Sequence, residues 1–183
     1  MSAAIEKTLL QRAQQGNSDA FAALRLTLEL QVRRYIWHVI GHTLAEDDIV
    51  QDVFTALYLN LEKMIPPEKL KPFLFRVTRN RCYDWLRQQG RRKVVPLTAD
   101  IPVAALPLEE ETHALLLYQQ VKAAMTRLPE AQRQVLMLYA EEEFSYEEIA
   151  AALEINIGTV KSRLHQARKA VKQMMKNPDL LLK

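Results

Sequence analysis

The feature that most constrains this chain is a change of charge within one stretch near its C-terminal end. Residues 141–156 carry six glutamates and no Lys or Arg, whereas residues 157–176 carry six basic side chains and no acid. An apolar stripe recurs in the basic segment at intervals of four, three, four and three residues, namely Val160, Leu164, Ala167, Val171 and Met174. Two helices joined by a short turn, the second uniformly basic, are typical of a helix-turn-helix that reads DNA.

The helix ends and the outer face of the basic segment support the same interpretation. Ser145 and Glu148 have the spacing of a capping box, and Asn156 is expected to cap the basic helix. Small polar groups at the centre of the outer face can reach base edges, while flanking cations hold phosphates. The alternative is a solvated amphipathic helix whose lysines serve solubility. The candidate DNA-binding residues are Lys161, Ser162, Arg163, His165, Gln166, Arg168, Lys169 and Lys172.

From Leu128 to Val171 the chain resembles region 4 of the extracytoplasmic-function sigma factors of bacterial RNA polymerase. The resemblance implies that the basic helix contacts the minus-thirty-five element of a promoter. Glu154 stands where the family usually has a turn glycine, so a non-glycine residue with positive φ is expected there. Gln166 stands where an Arg is frequent, which bears on promoter sequence. The matching positions include Leu128, Pro129, Gln132, Arg133, Val135, Leu138, Ser145, Glu148, Ile149, Ala150, Gly158, Thr159, Val160, Lys161, Ser162, Arg163, Leu164, Ala167 and Arg168.

The distribution of charge and proline divides the chain of 183 residues. Residues 1–93 carry 15 basic and 10 acidic side chains, and residues 116–183 carry 10 and 8. Residues 94–115 carry four acids, no base and three prolines, which prevent a continuous helix. We therefore predict an all-α chain: a domain at 1–93, a proline-marked acidic linker at 94–115, and a helix-turn-helix domain at 116–183. For the linker, a solvated tether and a path towards the polymerase's RNA exit, as the family comparison implies, both stay open.

In the first domain, the pattern predicts a helix over 48–61 with an apolar stripe at Ile49, Val53, Ala56 and Leu57, beside Val50, Phe54 and Leu61. The acids Glu46, Asp47 and Asp48 would favour the helix N-terminus through its dipole. That effect leaves Gln51 and Asp52 unexplained. The run EDDIVQDVF resembles region 2.2 of the same family. This resemblance implies that Asp48, Gln51 and Asp52 contact core RNA polymerase.

A further helix is predicted over 71–92. Its apolar arc is expected to contain Phe73, Leu74, Val77, Cys82, Trp85 and Leu86, with Arg81 falling unexplained among them. The opposite arc contains Arg76, Arg79, Asn80, Tyr83 and Arg87. Cations with an interleaved aromatic and amide can track a single strand and hold an unpaired base, although a solvated polar face is the alternative. The pattern resembles regions 2.3 and 2.4, and this implies contact of the opposite arc with the minus-ten element.

Other chemistry finds little support in the sequence. His38 and His42 have the spacing of two metal ligands on a helix, but an intervening Glu is missing and Cys82 is the single cysteine. Walker, nucleophile-elbow and dinucleotide motifs are absent from the sequence. The N-terminus lacks the features of a secretory signal, and apolar runs are too short to span a membrane. We predict a cytoplasmic protein without cofactor, metal, enzymatic activity or membrane insertion.

Three functions remain open at this stage. The resemblance favours an alternative sigma factor whose partners are core RNA polymerase, promoter DNA and an anti-sigma factor. The second is a stand-alone helix-turn-helix regulator with an unrelated sensor domain, and the third is an enzyme with a nucleic-acid-binding tail. The runs EDDIVQDVF and FLFRVTRN favour the first over the second, because a sensor domain does not need them.

Overall fold

The computed structural model describes residues 2–90, 120, 121 and 123–175, and these residues form helices, turns and loops without a strand. The predicted all-α class is therefore confirmed for this part of the chain, which divides into two compact units. The N-terminal unit contains helices α1 (Ser2–Gln14), α2 (Ser18–Ile40), α3 (Glu46–Tyr58) and α4 (Leu70–Gln88). The C-terminal part of the chain contains helices α5 (Glu130–Ala140), α6 (Tyr146–Leu153) and α7 (Ile157–Met174). The predicted linker at 94–115 and both domain boundaries lie outside the described residues.

Helix α2 forms the centre of the N-terminal unit and packs against α1, α3 and α4. The residues on its buried side recur at every fourth position, so they form a stripe along one side of the helix. The ring of Tyr35 meets that of Phe75 in α4 edge to face, with the centroids 5.4 Å apart. The stripe comprises Leu24, Leu28, Val32 and Ile36, all fully buried.

Local interactions fix both ends of α2. The side-chain oxygen of Asn17 accepts a hydrogen bond of 2.8 Å from the backbone N–H of Ala20, as an N-cap does. The helix ends at Gly41, whose φ of 75° is readily adopted only by glycine and whose N–H donates to the carbonyl of Trp37. The chain then turns, and α3 begins five residues later at Glu46.

A cluster of charges around Arg33 joins the end of α2 to the start of α3. The guanidinium of Arg33 donates to Glu46 at 2.6 Å, to Asp47 at 2.8 Å and to Glu29 at 2.8 Å. The indole N–H of Trp37 donates to the second carboxylate oxygen of Glu46 at 2.5 Å. The hydrogen bond from Arg33 holds the pKa of Glu29 below its usual range, because it outweighs the opposing effect of burial. Glu46 and Asp47 therefore connect two helices in addition to favouring the helix N-terminus.

Helix α3 buries the predicted stripe but is shorter than expected. Ile49, Val50, Val53, Phe54 and Leu57 are buried, as the pattern predicts, whereas Ala56 is only half-buried. The predicted end at 61 was wrong, because α3 stops at Tyr58 and a separate 3-10 turn covers Leu61–Lys63. A second 3-10 turn, Pro67–Lys69, leads into α4.

The buried face of α4 is rotated relative to the predicted arc. Its centre is Thr78, which is fully buried and whose hydroxyl is satisfied by donating to the carbonyl of Leu74 at 2.8 Å. A sequence pattern counts threonine as polar, and the predicted arc was therefore displaced to one side. Arg81 lies outside the buried face and is exposed. The buried residues are Leu70, Pro72, Leu74, Phe75, Thr78 and Cys82, whereas Phe73, Val77, Trp85 and Leu86 are only half-buried.

In the C-terminal unit, α5 packs against α7. Arg133 of α5 is only 4% exposed, and burial lowers its pKa against the opposing charge of Glu130. The Arg133 guanidinium donates to the carbonyl of Thr126 at 3.4 Å. This bond connects α5 to the helical residues 123–127 before it.

The turns around α6 agree with the sequence in most respects. The backbone N–H of Ser145 donates to Glu148 at 2.8 Å, and the N–H of Glu148 donates to the Ser145 hydroxyl at 3.1 Å, so the capping box is confirmed. Glu154 has a φ of 55°, as expected for a residue in place of the turn glycine, and Glu143 has a φ of 56°. Asn156 occupies the N-cap position of α7, but its side chain makes no capping hydrogen bond.

The apolar stripe of α7 is confirmed except at its end. Val160, Leu164, Ala167 and Val171 are buried. Met174 was expected to continue the stripe, but it is 37% exposed and Met175 is buried in its place. The helix ends at Met174, and the extended backbone of the following residue turns its side chain inwards.

Candidate nucleic-acid interfaces

The outer face of α7 presents the side chains that the sequence singled out for the minus-thirty-five element. Because the opposite side of the helix is packed into the unit, these side chains lie at the surface. Arg163 is half-buried at the edge of the face. The exposed members are Lys161, Ser162, His165, Gln166, Arg168, Lys169 and Lys172. This arrangement exposes hydroxyl, imidazole and amide groups between flanking cations, as contact with base edges requires. The Ser162 hydroxyl donates to the carbonyl of Thr159 at 3.1 Å, and its oxygen can still accept a hydrogen bond.

Two side chains of α5 contact this face, and neither contact was predicted from the sequence. The side-chain N–H of Gln132 donates to the side-chain oxygen of Gln166 at 3.2 Å. The guanidinium of Arg168 lies 4.6 Å from the centre of the Tyr139 ring, in the range of a cation–π interaction. These pairs are separated by 34 and 29 positions in the sequence, so local spacing gives no signal for them.

The polar face of α4 is the second candidate surface. Arg76, Asn80, Tyr83 and Arg87 are spaced by three or four residues and so follow one side of the helix. Asn80 and Arg87 are exposed, and Arg76 and Tyr83 are half-buried. The Arg79 guanidinium lies 5.2 Å from the centre of the Tyr83 ring. The structure therefore brings all five predicted residues of this site onto one side of α4.

The half-buried Phe73 belongs to this polar face rather than to the core where it was predicted. The guanidinium of Arg76 lies 5.6 Å from the centre of its ring. Arg87 also forms an ion pair with Asp84 on the same helix. An aromatic residue therefore lies towards each end of the face, Phe73 before Arg76 and Tyr83 after Asn80, which suits stacking on unpaired bases.

The candidate polymerase contact lies on the solvent side of α3. Asp48, Gln51 and Asp52 are all exposed, as the pattern predicts. The guanidinium of Arg81 in α4 lies 3.4 Å from the carboxylate of Asp52. This ion pair accounts for the arginine that the sequence analysis left unexplained.

The remaining residues considered for chemistry lie in structural environments. His38 is 5% exposed in α2. His42 is exposed, with its ring 4.8 Å from that of Trp37 and its nitrogen 3.8 Å from Glu46. Within the described ranges, three or more potential metal ligands do not come together. Cys82 is fully buried, and burial raises the pKa of its thiol to about 12.

Membrane insertion can be judged only for the part of the chain that the structure describes. There, each helix is too short or too polar to cross a bilayer.

Comparison with protein families assigns both units. Residues 26–92 match the model of sigma-70 region 2, and residues 118–171 match the model of sigma-70 region 4. Together the two matches cover most of the chain and contain all the candidate contact residues except Lys172, which follows directly after the second match. The order of the matches is that expected from the sequence.

Similarity to individual proteins extends over nearly the whole chain. It is 24% identical over 182 residues to the ECF RNA polymerase sigma factor SigW of Bacillus subtilis (strain 168), covering 93% of this chain and 97% of that protein. The fold resembles that of CnrH in complex with the cytosolic domain of CnrY, with a TM-score of 0.66 and 24% identity over 93% of this chain and 96% of that one. It also resembles the sigma factor RpoE in complex with the anti-sigma factor NepR from Bartonella quintana, with a TM-score of 0.63 and 28% identity over 85% of this chain and 96% of that one.

Proposed function

The chain belongs to the extracytoplasmic-function sigma factors of bacterial RNA polymerase, and we propose that three of its surfaces divide the work of promoter recognition among them. As an alternative sigma factor, it recognises promoters and mediates initiation of transcription. The three surfaces are the outer face of α7, the polar face of α4 and the solvent side of α3. The proposal concerns which residues carry each contact.

The outer face of α7 would enter the major groove at the minus-thirty-five element. The carrying observation is that this basic helix is the second helix of a helix-turn-helix whose first helix is capped, and that it exposes polar groups between cations. Ser162, His165 and Gln166 would contact base edges, because their side chains can donate or accept hydrogen bonds. The flanking cations would bind phosphates and contribute affinity without sequence preference. They are Lys161, Arg163, Arg168, Lys169 and Lys172.

The polar face of α4 would bind the minus-ten element after its strands separate. Arg76, Arg79 and Arg87 supply positive charge for the strand backbone. Tyr83 supplies an aromatic surface next to Arg79, and Asn80 supplies an amide that can both donate to and accept from a base edge. This combination suits a base that has left the stack, because such a base exposes its face and its pairing edge together.

The solvent side of α3 would dock on core polymerase through Asp48, Gln51 and Asp52. The Arg33 cluster supports this proposal, because it engages Glu46 and Asp47 while the three candidate residues remain exposed. The first acids of this run thus have a structural role within the unit. The exposed Asp48, Gln51 and Asp52 would contact the polymerase.

We further propose an anti-sigma factor as a partner that covers these surfaces. Two proteins of similar fold are described in complexes, one with the cytosolic domain of CnrY and one with the anti-sigma factor NepR. Binding of the anti-sigma factor to this chain would then compete with binding of the polymerase and the promoter. The same family membership leads us to propose a cytoplasmic, non-enzymatic protein with a region-2 domain at 1–93 and a region-4 domain at 116–183, while the polymerase performs the chemistry.

The test is run-off transcription with the full chain, bacterial core polymerase and a library of random duplex promoters. We expect transcripts only when the chain is present, and enrichment of two separate sequence elements among the active templates. Core polymerase alone, and core with a variant carrying Lys161→Ala, Lys169→Ala and Lys172→Ala, serve as controls. A chain that enriches one DNA element but neither binds core polymerase nor stimulates transcription would instead be a stand-alone regulator.

A further inference from the structure

The contact between Gln132 and Gln166 links a helix that does not belong to the proposed DNA-binding surface with a residue that does. Gln132 lies on α5, is half-buried, and donates its side-chain N–H to the side-chain oxygen of Gln166 at 3.2 Å. Gln166 lies exposed on the outer face of α7. Because α5 packs against α7, the backbones that carry the two side chains are held next to each other.

The two ends of a glutamine amide have opposite chemistry. The oxygen accepts hydrogen bonds, and the NH₂ group donates them. A glutamine that is free to turn can pair with adenine through both ends, because adenine presents a donor at N6 and an acceptor at N7. In this chain the oxygen of Gln166 is directed towards α5 by Gln132, so the NH₂ group is the end left to face a partner.

We propose that Gln132 is a positioning residue that makes Gln166 a hydrogen-bond donor towards DNA. A donating NH₂ group can pair with guanine through O6 and N7, with thymine through O4 and with adenine through N7 alone. Adenine then loses the second hydrogen bond, from its N6 group, that a freely turning glutamine would accept. Gln132 thereby shifts the preference at the position contacted by Gln166 away from adenine. The inference rests on the proposed contact between α7 and the minus-thirty-five element.

Two substitutions at position 132 separate this role from simple packing. Gln132→Leu removes the donor, releases the amide of Gln166 and should raise the relative preference for adenine. Gln132→Glu replaces the donor with an acceptor, which attracts the NH₂ group of Gln166 and turns its oxygen outwards. That oxygen should then favour the bases with exposed donors, cytosine through N4 and adenine through N6.

The experiment measures transcription by the full chain with core polymerase on the random promoter library. Each variant is examined alone and combined with Gln166→Ala. The position contacted by Gln166 is identified as the one whose base preference Gln166→Ala abolishes. At that position, we expect Gln132→Leu and Gln132→Glu to shift preferences in the stated directions by about fivefold or more, the size of one good base contact. Both shifts should disappear in the Gln166→Ala background.

The outcomes distinguish the inference from the function on which it rests. If the unmodified chain enriches a minus-thirty-five element, but both substitutions leave all base preferences unchanged, the positioning role is wrong and the function stands. Shifts that persist in the Gln166→Ala background also overturn it, because Gln132 would then act through another route. If the unmodified chain enriches no minus-thirty-five element, both the function and the inference fail. A uniform loss of activity for Gln132→Glu, without a change in preference, would show only the effect of its added negative charge and would count against the proposal.

Discussion

The guanidinium of Arg81 lies 3.4 Å from the carboxylate of Asp52, and this ion pair connects α4 to the proposed polymerase-binding side of α3. The two side chains are 46% and 57% exposed, and ion pairs at such exposure contribute about 0 to 1 kcal/mol to stability. Asp52 therefore has charge available for a partner at little cost to the fold.

Replacing Asp52 separates its contribution to the ion pair with Arg81 from its proposed contact with the polymerase. Asp52→Asn should change the free energy of unfolding by less than about 1 kcal/mol, while weakening the affinity for core polymerase by roughly 1 to 2 kcal/mol. The affinity is measured by fluorescence anisotropy with labelled chain. Arg81→Gln breaks the same ion pair and serves as the control, because it should leave the affinity for core unchanged. Equal losses of affinity for both variants would show that the ion pair, rather than Asp52 itself, supports docking.

Asn80 is expected to act when the strands separate. Asn80→Ala removes both hydrogen-bonding groups from the exposed centre of the α4 face. It should raise the free energy of the open complex by about 1 to 3 kcal/mol on duplex promoters and much less on pre-melted ones. Permanganate footprinting and transcription from both templates measure this difference. For comparison, Arg87→Ala should weaken binding to both templates alike, and the same behaviour from Asn80→Ala would assign Asn80 to folding or docking.

Two residues of α7 should differ in the kind of effect they produce. Gln166→Arg should change the preferred base at one position of the minus-thirty-five element, towards guanine, by about 1 to 3 kcal/mol. Lys172→Ala should weaken binding to all sequences alike and reduce the salt dependence by about one unit. Binding to single-base promoter variants at two salt concentrations measures both effects. If Gln166→Arg lowers the affinity for all sequences equally while Lys172→Ala changes the preferred base, the roles assigned to the two residues are wrong.

The turn between α6 and α7 should become more stable with glycine. Glu154 has a φ of 55°, a conformation that costs non-glycine residues about 1 to 2 kcal/mol. Glu154→Gly and Glu154→Ala remove the same charge, so their comparison isolates the effect of the β carbon. Glycine should be the more stable of the two by about 1 kcal/mol, as measured by amide hydrogen exchange in α6 and α7. Equal protection in the two variants would mean that the turn relaxes without strain.

The Arg33 cluster predicts a dependence of stability on pH. Because Arg33 holds the pKa of Glu29 below its usual range, the folded state favours the carboxylate. This stabilisation is complete above the unfolded pKa of about 4.3 and is lost as the pH falls through the lower folded value. Glu29→Gln should therefore be less stable than the unmodified chain at pH 7, and the difference should shrink below about pH 4. Urea unfolding followed by tryptophan fluorescence measures this, with Glu68→Gln as the control at an exposed position.

Regular periodicity predicted the helices and their outer faces, but it failed where burial depends on local hydrogen bonds. The stripe of α7 and the solvent side of α3 followed from spacing, since each helix buries one side against its own unit. Thr78 was not included in the predicted apolar arc, yet it occupies the buried centre of α4, where its hydroxyl is satisfied by the Leu74 carbonyl within the helix. Met174 was misjudged because the helix ends there and the chain turns.

Contacts across the fold could not be predicted in the same way. Nothing in the sequence marked Gln132 or Tyr139 as a neighbour of the DNA-binding residues, yet they contact Gln166 and Arg168 on the outer face of α7. Their positions depend on how α5 crosses α7, and the spacing of residues along the sequence does not reveal that crossing. The exposed residues of a recognition helix were therefore predictable, but the residues that orient them were not.

The burial of Cys82 has a practical consequence for following this protein during transcription. It is the single cysteine of the chain, and its fully buried thiol, with a pKa of about 12, stays protonated and out of reach of alkylating dyes at neutral pH. A second cysteine introduced at an exposed position outside the proposed contact surfaces, such as Lys7, would therefore be labelled selectively, without first replacing the native one. The folded chain thus already provides a background for single-site fluorescent reporters.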